Sequence, residues 1–540
     1  MRSGFDKNLI EKILGGAPKF SIAELEEKYP MRGLAEGAEI TRFAPSPTGF
    51  MHIGGLYQML IDKKIAKQTG GIFFLRIEDT DTKREVDGAV SLILNSAKQF
   101  DLMPDEMPGL IEYAPYSSIY APAMEKMHKG YLPGIGAYAP YSQSERKDIY
   151  HSVASELLER GAAYPCFMSA EDMELTRSEQ KNLGLPTGIY GQWARDRNIM
   201  PEVVAERLLA GEKPTIRLYS EGDPAKKIYC KDVVRGSIAF PEDDEDVVLI
   251  KSDDGLPTYH FAHIVDDHFM RTTLVIRGEE WLSSLPKHIQ MFGVLGWNPP
   301  RYIHTSTLDK IDDETGKQRK LSKRKDPEAS VERFVADGWP IEAVLEYLFN
   351  IASSGYEEAK AKGQAATIWD WELKPKKIPM SGALFDMKKL EWWAKEFIAT
   401  LPLNELTKRV VDWANEFGTA VKDIEYLKSI LGIERDNPKR VRKDFITWKQ
   451  TLENIAFFFD DGFVAQPGNE ITKEFLAVYN PADTKDEWWA KVQGIAEKLG
   501  VKNGDVAMAL RVALSGREQT PDLYSMISVM GEDRVKRRLK

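Results

Sequence analysis

The stretch ITRFAPSPTGFMHIGGLYQML, residues 40–60, decides how the fold begins. Its apolar run Ile40–Ala44 predicts a strand, and a turn rich in proline and glycine follows. The apolar spacing over Leu56–Gln68 predicts a helix. The next run, Ile72–Ile77, is almost continuously apolar, as expected of a strand buried on both faces of a parallel sheet. The order strand, helix, strand predicts a βαβ unit.

A second strand and helix pattern lies far downstream. Thr272–Ile276 predicts a strand, the apolar spacing over 285–295 predicts a helix, and Tyr302–Leu308 predicts a further strand. The region of about 140–240 between the two halves has mixed character, which indicates a domain inserted into a split α/β sheet. The C-terminal part is predominantly helical in pattern, beginning with a helix over Val331–Ala336.

The composition excludes several classes of protein. The chain has 540 residues, 43% of them hydrophobic and 29% charged, so several buried cores are expected and disorder is not. It has neither a window of about 18 uncharged apolar residues nor an apolar signal core, so we expect a protein that is soluble and not exported. The net charge of −10 leaves room for a local basic patch. Two cysteines, Cys166 and Cys230, suit a reducing cytoplasm and are too few for a disulfide framework.

Two short motifs suit the binding of a nucleoside triphosphate. The first, HIGG at 52–55, lies at a predicted helix start, where free N–H groups and positive potential favour a phosphate. The alternative for this motif is a capping or packed histidine followed by a simple turn. The second, KLSKR at 320–324, offers mobile ammonium groups that suit a polyphosphate whose charge shifts during a reaction. The alternative for this motif is a solvated basic loop.

Together the two motifs resemble the paired signatures of class I aminoacyl-tRNA synthetases. Further blocks, in family order, narrow the resemblance to glutamyl-tRNA synthetases of the bacterial type: LRIEDTD at 75–81, YSQSER at 141–146, LPTYHFAHIVDDH at 256–268, VIRGEEW at 275–281, GALFDMKKL at 382–390 and LRVALSG at 510–516. The resemblance covers about 40–540. Glutaminyl-tRNA synthetases share the first half, but they are expected to carry β-barrels where this chain has a helical pattern.

The resemblance implies an α/β fold, namely a class I Rossmann-type catalytic domain split by an inserted α/β domain and followed by all-helical C-terminal domains. The implied divisions are an N-terminal extension (1–38), the first catalytic half (39–148), an inserted acceptor-stem-binding domain (149–237), the second catalytic half (238–328), a helical stem-contact domain (329–392) and a helical anticodon-binding domain (393–540).

The implied reaction is the ATP-dependent ligation of L-glutamate to the 3′ end of tRNA-Glu through a glutamyl-adenylate, which releases AMP and diphosphate. A non-discriminating enzyme that also glutamylates tRNA-Gln remains an alternative. The resemblance implies ATP with Mg²⁺, no protein-bound zinc and no protein metal ligand. Asp266 and Asp267 are expected to cap a helix or to face tRNA. A cytoplasmic monomer that needs tRNA to activate glutamate is expected.

Site residues follow from the same resemblance. The implied catalytic residues are His52, Lys320 and Lys323. The implied ATP contacts are His52, Gly54, Gly55, Glu280, Lys320, Ser322 and Lys323. A basic cluster in the C-terminal half, Lys439, Arg440, Arg442 and Lys443, is the implied tRNA contact, with a solvated charged face as its alternative.

The implied glutamate pocket needs two cationic groups and one acid, because the substrate carries two carboxylates and an ammonium. Arg42 corresponds to the residue that grips the side-chain carboxylate, Arg277 to the one that faces the main-chain carboxylate, and Glu78 to the acid that meets the ammonium. The pocket is completed by Ala44, Ser46, Tyr259 and His263. The alternatives are a structural ion pair of Arg42 with Glu78 and a core role for Tyr259.

This sequence departs from the family pattern at two places. At His263 the family commonly has asparagine, so this residue either contacts the substrate or is simply packed. The segment 103–138 is longer than the usual connection and is expected to be an inserted surface loop.

Overall fold

The computed structural model describes residues 4–81, 83–109, 135–312, 314–322, 325–418, 420–437, 441–464 and 466–540. The chain divides into two compact units, Met1–Glu332 with Leu348–Phe385, and Arg333–Tyr347 with Asp386–Lys540. The helical stem-contact domain predicted at 329–392 therefore falls partly in each of the two units. Most of the segment 103–138 that was predicted to be an insertion, namely 110–134, lies outside the described residues.

The strands are, in chain order, β1 (Ile40–Phe43), β2 (Ile72–Leu75), β3 (Ala163–Cys166), β4 (Thr215–Leu218), β5 (Lys227–Asp232), β6 (Gly236–Pro241), β7 (Val248–Ile250), β8 (Leu274–Gly278), β9 (Arg301–Thr305), β10 (Leu308–Ile311), β11 (Gln318–Lys320) and β12 (Ala383–Leu384).

The helices up to residue 361 are α1 (Lys7–Leu14), α2 (Ile22–Lys28), α3 (Ile53–Thr69), α4 (Ala89–Gln99), α5 (Lys147–Glu159), α6 (Ala170–Asn182), α7 (Pro201–Leu209), α8 (Tyr259–Phe269), α9 (Leu285–Leu295), α10 (Val331–Ala336), α11 (Ile341–Ala352) and α12 (Tyr356–Ala361). The helices after them are α13 (Met387–Thr400), α14 (Leu403–Phe417), α15 (Ile424–Leu431), α16 (Trp448–Ile455), α17 (Glu470–Val478), α18 (Lys485–Leu499), α19 (Asn503–Ser515), α20 (Leu523–Met530) and α21 (Glu532–Leu539).

Parallel strands from two distant stretches of sequence meet in the first unit. β1 pairs with β2, which places Arg42 opposite Phe74, and β8 pairs with β9, which places Arg277 opposite His304. β1 also lies beside β8, because Thr273 donates its backbone N–H to the Ile40 carbonyl at 3.0 Å. The split parallel sheet predicted from the sequence is confirmed, with β2, β1, β8 and β9 in spatial order. Ligands of such sheets bind beyond the carboxyl ends of the strands.

The region between the two halves contributes its own antiparallel sheet of β3, β4 and β7. Strand pairing does not follow the predicted boundary at 237. β7 lies after this boundary but pairs with β4, and β5 lies before it but pairs with β9 through Asp232 and Tyr302. The hairpin of β5 and β6 thereby extends the sheet that contains β8 and β9.

The N-terminal extension packs into the core of the first unit. Helices α1 and α2 bury Leu9, Ile13 and Leu25 in the same apolar cluster as Phe74 of β2. Arg32, which follows them, holds Glu106 with two hydrogen bonds of 2.7 and 2.8 Å. The N-terminal extension expected over 1–38 thus contains two short helices, and both form part of this core.

The second unit is helical in its described part, as predicted. Helices α13 to α21 bury one apolar cluster, in which Leu406, Leu427, Leu510 and Ile527 are each almost fully buried. Among all described helices of the chain, none is both long enough and apolar enough to cross a membrane.

One strand prediction was wrong in its extent. Tyr302–Leu308 was predicted as a single strand, but β9 ends at Thr305 and β10 starts at Leu308. Ser306 and Thr307 between them line a cavity, and the two strands belong to different sheets, since β9 pairs with β8 and β10 pairs with β11 and β12. β10 then pairs antiparallel with β11, which ends on Lys320 of the KLSKR motif.

Candidate active site

The two phosphate motifs lie on one cavity of about 340 Å³. From the first motif it is lined by His52, Gly54 and Gly55, and from the second by Lys320. Glu280, which the sequence assigned to the nucleotide, lines it as well. The structure therefore brings together five of the seven residues assigned to ATP. Lys323 lies outside the described residues, and Ser322 does not line this cavity.

His52 starts helix α3 as its capping residue. Its Nδ1 accepts a hydrogen bond from the Gly54 backbone N–H at 3.2 Å. An accepting ring nitrogen carries no proton, so the proton of the neutral imidazole is on Nε2. His52 therefore caps the helix, as one of the two interpretations of the sequence expected. This role is compatible with phosphate binding, because His52 also lines the cavity.

An anchored loop carries the KLSKR motif. The buried carboxylate of Asp326 accepts two hydrogen bonds of 2.7 Å from Arg319 and one of 2.9 Å from the backbone N–H of Ser322. These bonds hold the pKa of Asp326 well below its usual range. Lys320, half-exposed at the cavity, forms an ion pair of 2.7 Å with Glu280. The two cavity-lining charges therefore neutralise each other in this structure.

A second cavity, of about 530 Å³, shares the lining residue Trp281 with the first. Three residues assigned to glutamate line it, namely Ser46, Glu78 and Tyr259. The ring centroids of Tyr259 and Trp281 are 4.2 Å apart, so the two rings form one aromatic wall. Ala44 is half-buried directly after β1 and does not line this cavity.

Arg42 is buried in an ion network beneath the second cavity, with 2% of its surface exposed. Its Nε lies 3.4 Å from Asp267 Oδ1, and the same oxygen accepts a hydrogen bond of 2.7 Å from Arg76. Arg76 in turn donates to Glu78 at 3.0 Å. The direct ion pair of Arg42 with Glu78, which was one interpretation of the sequence, is not what links them. The two residues are connected through Asp267 and Arg76.

This network sets the charge state of its acids. Burial acts to raise the pKa of Asp267, but the charges of Arg76 and Arg42 lower it below its usual value. Burial raises the pKa of Glu78 in spite of the nearby arginines. The expectation that Asp266 and Asp267 cap a helix or face tRNA is wrong, because both are buried, and Asp266 accepts from Arg146 at 2.6 Å.

Arg277 is also buried, with 3% of its surface exposed, and does not line the second cavity. Its NH1 group donates to the hydroxyl of Tyr259 at 3.4 Å, and its NH2 group donates to the carbonyl of Trp281 at 3.3 Å. Arg277 therefore supports the two aromatic residues that form the wall of the cavity.

His263 is fully buried and lies behind Tyr259. Its ring stacks on that of Tyr259 at 5.8 Å, its Nε2 contacts the Tyr302 hydroxyl at 3.2 Å, and its Nδ1 is 3.0 Å from Asp267 Oδ2. Burial, together with the charges of Arg277 and Arg42, lowers the pKa of His263 well below its usual value. Of the two roles that the sequence left open for His263, the structure shows the packed one, with a neutral ring.

Comparisons with known proteins agree with this geometry. Residues 40–392 match the family model of class I tRNA synthetases (E and Q), catalytic domain, and residues 405–540 match that of an anticodon binding domain. A glutamate–tRNA ligase of Clostridium perfringens is 42% identical, over 99% of this chain and 98% of its own length. A glutamate–tRNA ligase of Clostridium beijerinckii is 40% identical, over 95% of each chain.

The chain belongs to the glutamate–tRNA ligase family. The crystal structure of a member of this family, from Elizabethkingia meningosepticum in complex with its amino acid, is 26% identical with a TM-score of 0.73, and the match covers 93% of this chain and 98% of that one. The family resemblance and the fold class inferred from the sequence are confirmed.

The helical region that matches the anticodon model of the family contains part of the basic cluster. Arg442 is bound by both oxygens of Asp444, at 2.7 and 2.5 Å, and only 6% of its side chain is exposed. Lys443 pairs with Glu396 at 2.7 Å. Lys439 and Arg440 lie outside the described residues. The tRNA contact of this cluster remains a prediction.

Several cavity residues were missed by reasoning from the family motifs. Tyr57 and Gln58 in the first turns of α3, Thr305 at the end of β9, and Ser306 and Thr307 after it line the first cavity. Their positions in the sequence could have identified them, because two of them follow the HIGG motif and three lie at or just after the carboxyl end of a parallel strand, where ligands bind. Among the described residues, no group of three or more histidine, cysteine, aspartate or glutamate side chains is arranged to hold a metal ion.

Proposed function

We propose that this protein uses ATP to ligate L-glutamate to the 3′ end of tRNA-Glu, with a glutamyl-adenylate as the intermediate. The observation that carries the proposal is that Trp281 lines both cavities, and we infer that the two cavities join there. One cavity is lined by the HIGG and KLSKR residues that suit a triphosphate. The other is lined by Glu78 and Tyr259 above two buried arginines, which suits an acidic amino acid.

The junction suits an in-line transfer. In the first step the main-chain carboxylate of glutamate attacks the α-phosphorus of ATP, a new P–O bond forms, and the bond to diphosphate breaks. In the second step a ribose hydroxyl at the 3′ end of tRNA attacks the activated carbonyl, its proton is released, and AMP leaves. The protein contributes mainly position and charge stabilisation, so no covalent enzyme intermediate is required.

We assign the charged residues as follows. Lys320 and Lys323 stabilise the departing diphosphate, and the amide groups at Gly54 and Gly55 receive phosphate oxygens at the start of α3. Glu78 receives the ammonium of the substrate, and its carboxylate supports this assignment because it lines the cavity although only 9% of the side chain is exposed. Arg42 and Arg277 receive the two substrate carboxylates. Both are buried in this structure, so the residues that cover them have to move when the substrate enters.

The remaining assignments concern cofactor, partner and location. Mg²⁺ enters with ATP, because the triphosphate itself supplies oxygen ligands for the ion. No zinc is bound at Cys166, whose thiol is buried without a disulfide partner, as is that of Cys230. The second unit reads the anticodon. The protein acts in the cytoplasm as a monomer. Light scattering after gel filtration tests the monomer directly, because it should give a molar mass of 61.2 kDa.

The experiment is amino-acid-dependent ATP–diphosphate exchange by the purified protein, with and without tRNA-Glu. We expect exchange with glutamate, only in the presence of tRNA, and none with aspartate or glutamine. Exchange that is independent of tRNA would indicate another adenylating enzyme. The absence of exchange under all conditions would indicate a tRNA-binding protein without this activity.

A further inference from the structure

The guanidinium of Arg277 is held by two histidines that lie outside every motif assigned to the substrates. Its Nε–H donates to His304 Nε2 at 2.9 Å, and its NH1 group donates to His288 Nδ1 at 3.2 Å. Both imidazoles are fully buried. Because arginine has only donors, each of these ring nitrogens must be without a proton.

Asp232 fixes the tautomer of His304 from the opposite side. His304 donates its Nδ1–H to Asp232 Oδ2 at 2.8 Å, and its backbone N–H donates to the same oxygen at 2.9 Å. The other oxygen accepts from the backbone N–H groups of Val234 and Arg235. Burial acts to raise the pKa of Asp232, but these bonds lower it below its usual value. The ionised carboxylate only accepts, so the lone pair of His304 Nε2 is directed at Arg277.

Three neighbouring strands carry this chain of hydrogen bonds. Arg277 on β8 lies opposite His304 on β9, and Asp232 at the end of β5 pairs with Tyr302 of β9. The imidazole of His304 also stacks on the ring of Tyr302, at 6.0 Å and 13°. Groups carried on paired strands are held more precisely than groups on loops. The chain is therefore suited to fix an orientation.

We propose that Asp232 and His304 are positioning residues that hold Arg277 in the orientation in which it receives the main-chain carboxylate of the amino acid. The inference rests on the proposed function. His304 itself contacts no substrate, because Arg277 and Tyr259 lie between it and the cavity. Burial lowers the pKa of His304, so its ring is neutral and accepting at pH 7.

The expected effect of His304→Met is a weaker hold on glutamate. Methionine fills similar space, but it gives Arg277 no comparable acceptor and Asp232 no donor. A hydrogen bond that involves a charged group changes an equilibrium by about 10- to 100-fold, so the KM for glutamate should rise by that factor. In His304→Gln the amide oxygen can accept from Arg277 while the NH₂ donates to Asp232, and the rise should stay below about threefold.

The test measures KM and kcat in ATP–diphosphate exchange with tRNA-Glu, for glutamate and for ATP separately. His268→Met is the matched control, since His268 is also a histidine paired with a carboxylate, that of Glu26 at 2.6 Å, and stacked on a ring, that of Trp297, but lines neither cavity. We expect His304→Met alone to raise the KM for glutamate, with the KM for ATP unchanged. A general loss of structure would move both constants.

The inference is overturned if His304→Met leaves the KM for glutamate unchanged, or if His304→Gln raises it as much as His304→Met does. If His304→Met does not fold, Asp232→Asn takes its place. The NH₂ of asparagine donates to the imidazole and turns the ring proton toward Arg277, so the same rise is expected and an unchanged KM contradicts the inference. Wild-type protein without glutamate-dependent exchange would instead contradict the proposed function.

Discussion

Lys320 Nζ lies 2.7 Å from Glu280 Oε1 at the cavity that the HIGG motif also lines. An entering triphosphate would offer Lys320 a stronger anion than this half-exposed carboxylate does. We expect this ion pair to keep the ammonium at the cavity until the nucleotide arrives, after which the lysine follows charge toward the leaving diphosphate.

Removing this ammonium should slow the chemical step. We expect Lys320→Ala to lower the rate of glutamate activation by about 10²- to 10³-fold, with a smaller effect on the KM for ATP. The measurement is pre-steady-state formation of the adenylate. Lys362→Ala is the matched control, because Lys362 forms an exposed pair with Glu358 away from either cavity. Equal rates for Lys320→Ala and the control would contradict the role of Lys320.

The choice of glutamate over glutamine should depend on the fork of Arg42. An amide substrate leaves part of the guanidinium unpaired in a dry pocket, which can discriminate by about 10⁴-fold. Lysine cannot form the same fork, so Arg42→Lys should lose most of the ratio of kcat/KM for glutamate to that for glutamine. Arg207→Lys, at the surface pair with Glu212, should keep it. A native ratio in Arg42→Lys would disprove the assignment.

The carboxylate of Asp267 should be essential for the stability of the first unit. Asp267→Asn leaves Arg42 and Arg76 buried without their shared anion, which should lower the free energy of unfolding by about 3–5 kcal/mol. Denaturation by urea measures this change. Asp148→Asn, which breaks an exposed pair with Lys19, should cost less than about 1 kcal/mol.

The pH dependence of this loss follows from the lowered pKa of Asp267. A carboxyl whose folded pKa lies below its unfolded value stabilises the fold above that unfolded value, about 3.9, and the stabilisation is lost as the pH falls through the folded pKa. The difference between wild type and Asp267→Asn should therefore be constant from pH 5 to pH 8. A difference that changes within this range would show that another group titrates.

The strands of the parallel sheet and the helix over Val331–Ala336 could be predicted from the sequence, because apolar runs and apolar periodicity are local signals. The support of Arg277 could not. Asp232, His288 and His304 come from three separate elements, and each taken alone is equally typical of a packed core residue. Only the pairing of β8 with β9 brings Arg277 next to His304.

His263 illustrates the same limit at a single position. The motif predicted a contact with glutamate, but the histidine is packed between Tyr259, His288 and Tyr302. We expect His263→Asn, the usual residue of the family, to cost about 1–3 kcal/mol of stability through lost packing. The KM for glutamate should stay close to that of the wild type, because His263 lines neither cavity. His268→Asn is the control for stability, because it also removes a histidine ring that stacks on an aromatic side chain, that of Trp297. A large rise in KM without loss of stability would mean that His263 contacts the substrate.

The most direct test of the central claim is the charging of purified tRNA-Glu and tRNA-Gln with labelled glutamate in the presence of ATP. We predict stable label on tRNA-Glu that depends on ATP and disappears on mild alkaline hydrolysis of the ester. Label on tRNA-Gln as well would make the enzyme non-discriminating. No label on tRNA-Glu, from protein that is folded and binds ATP, would contradict the account.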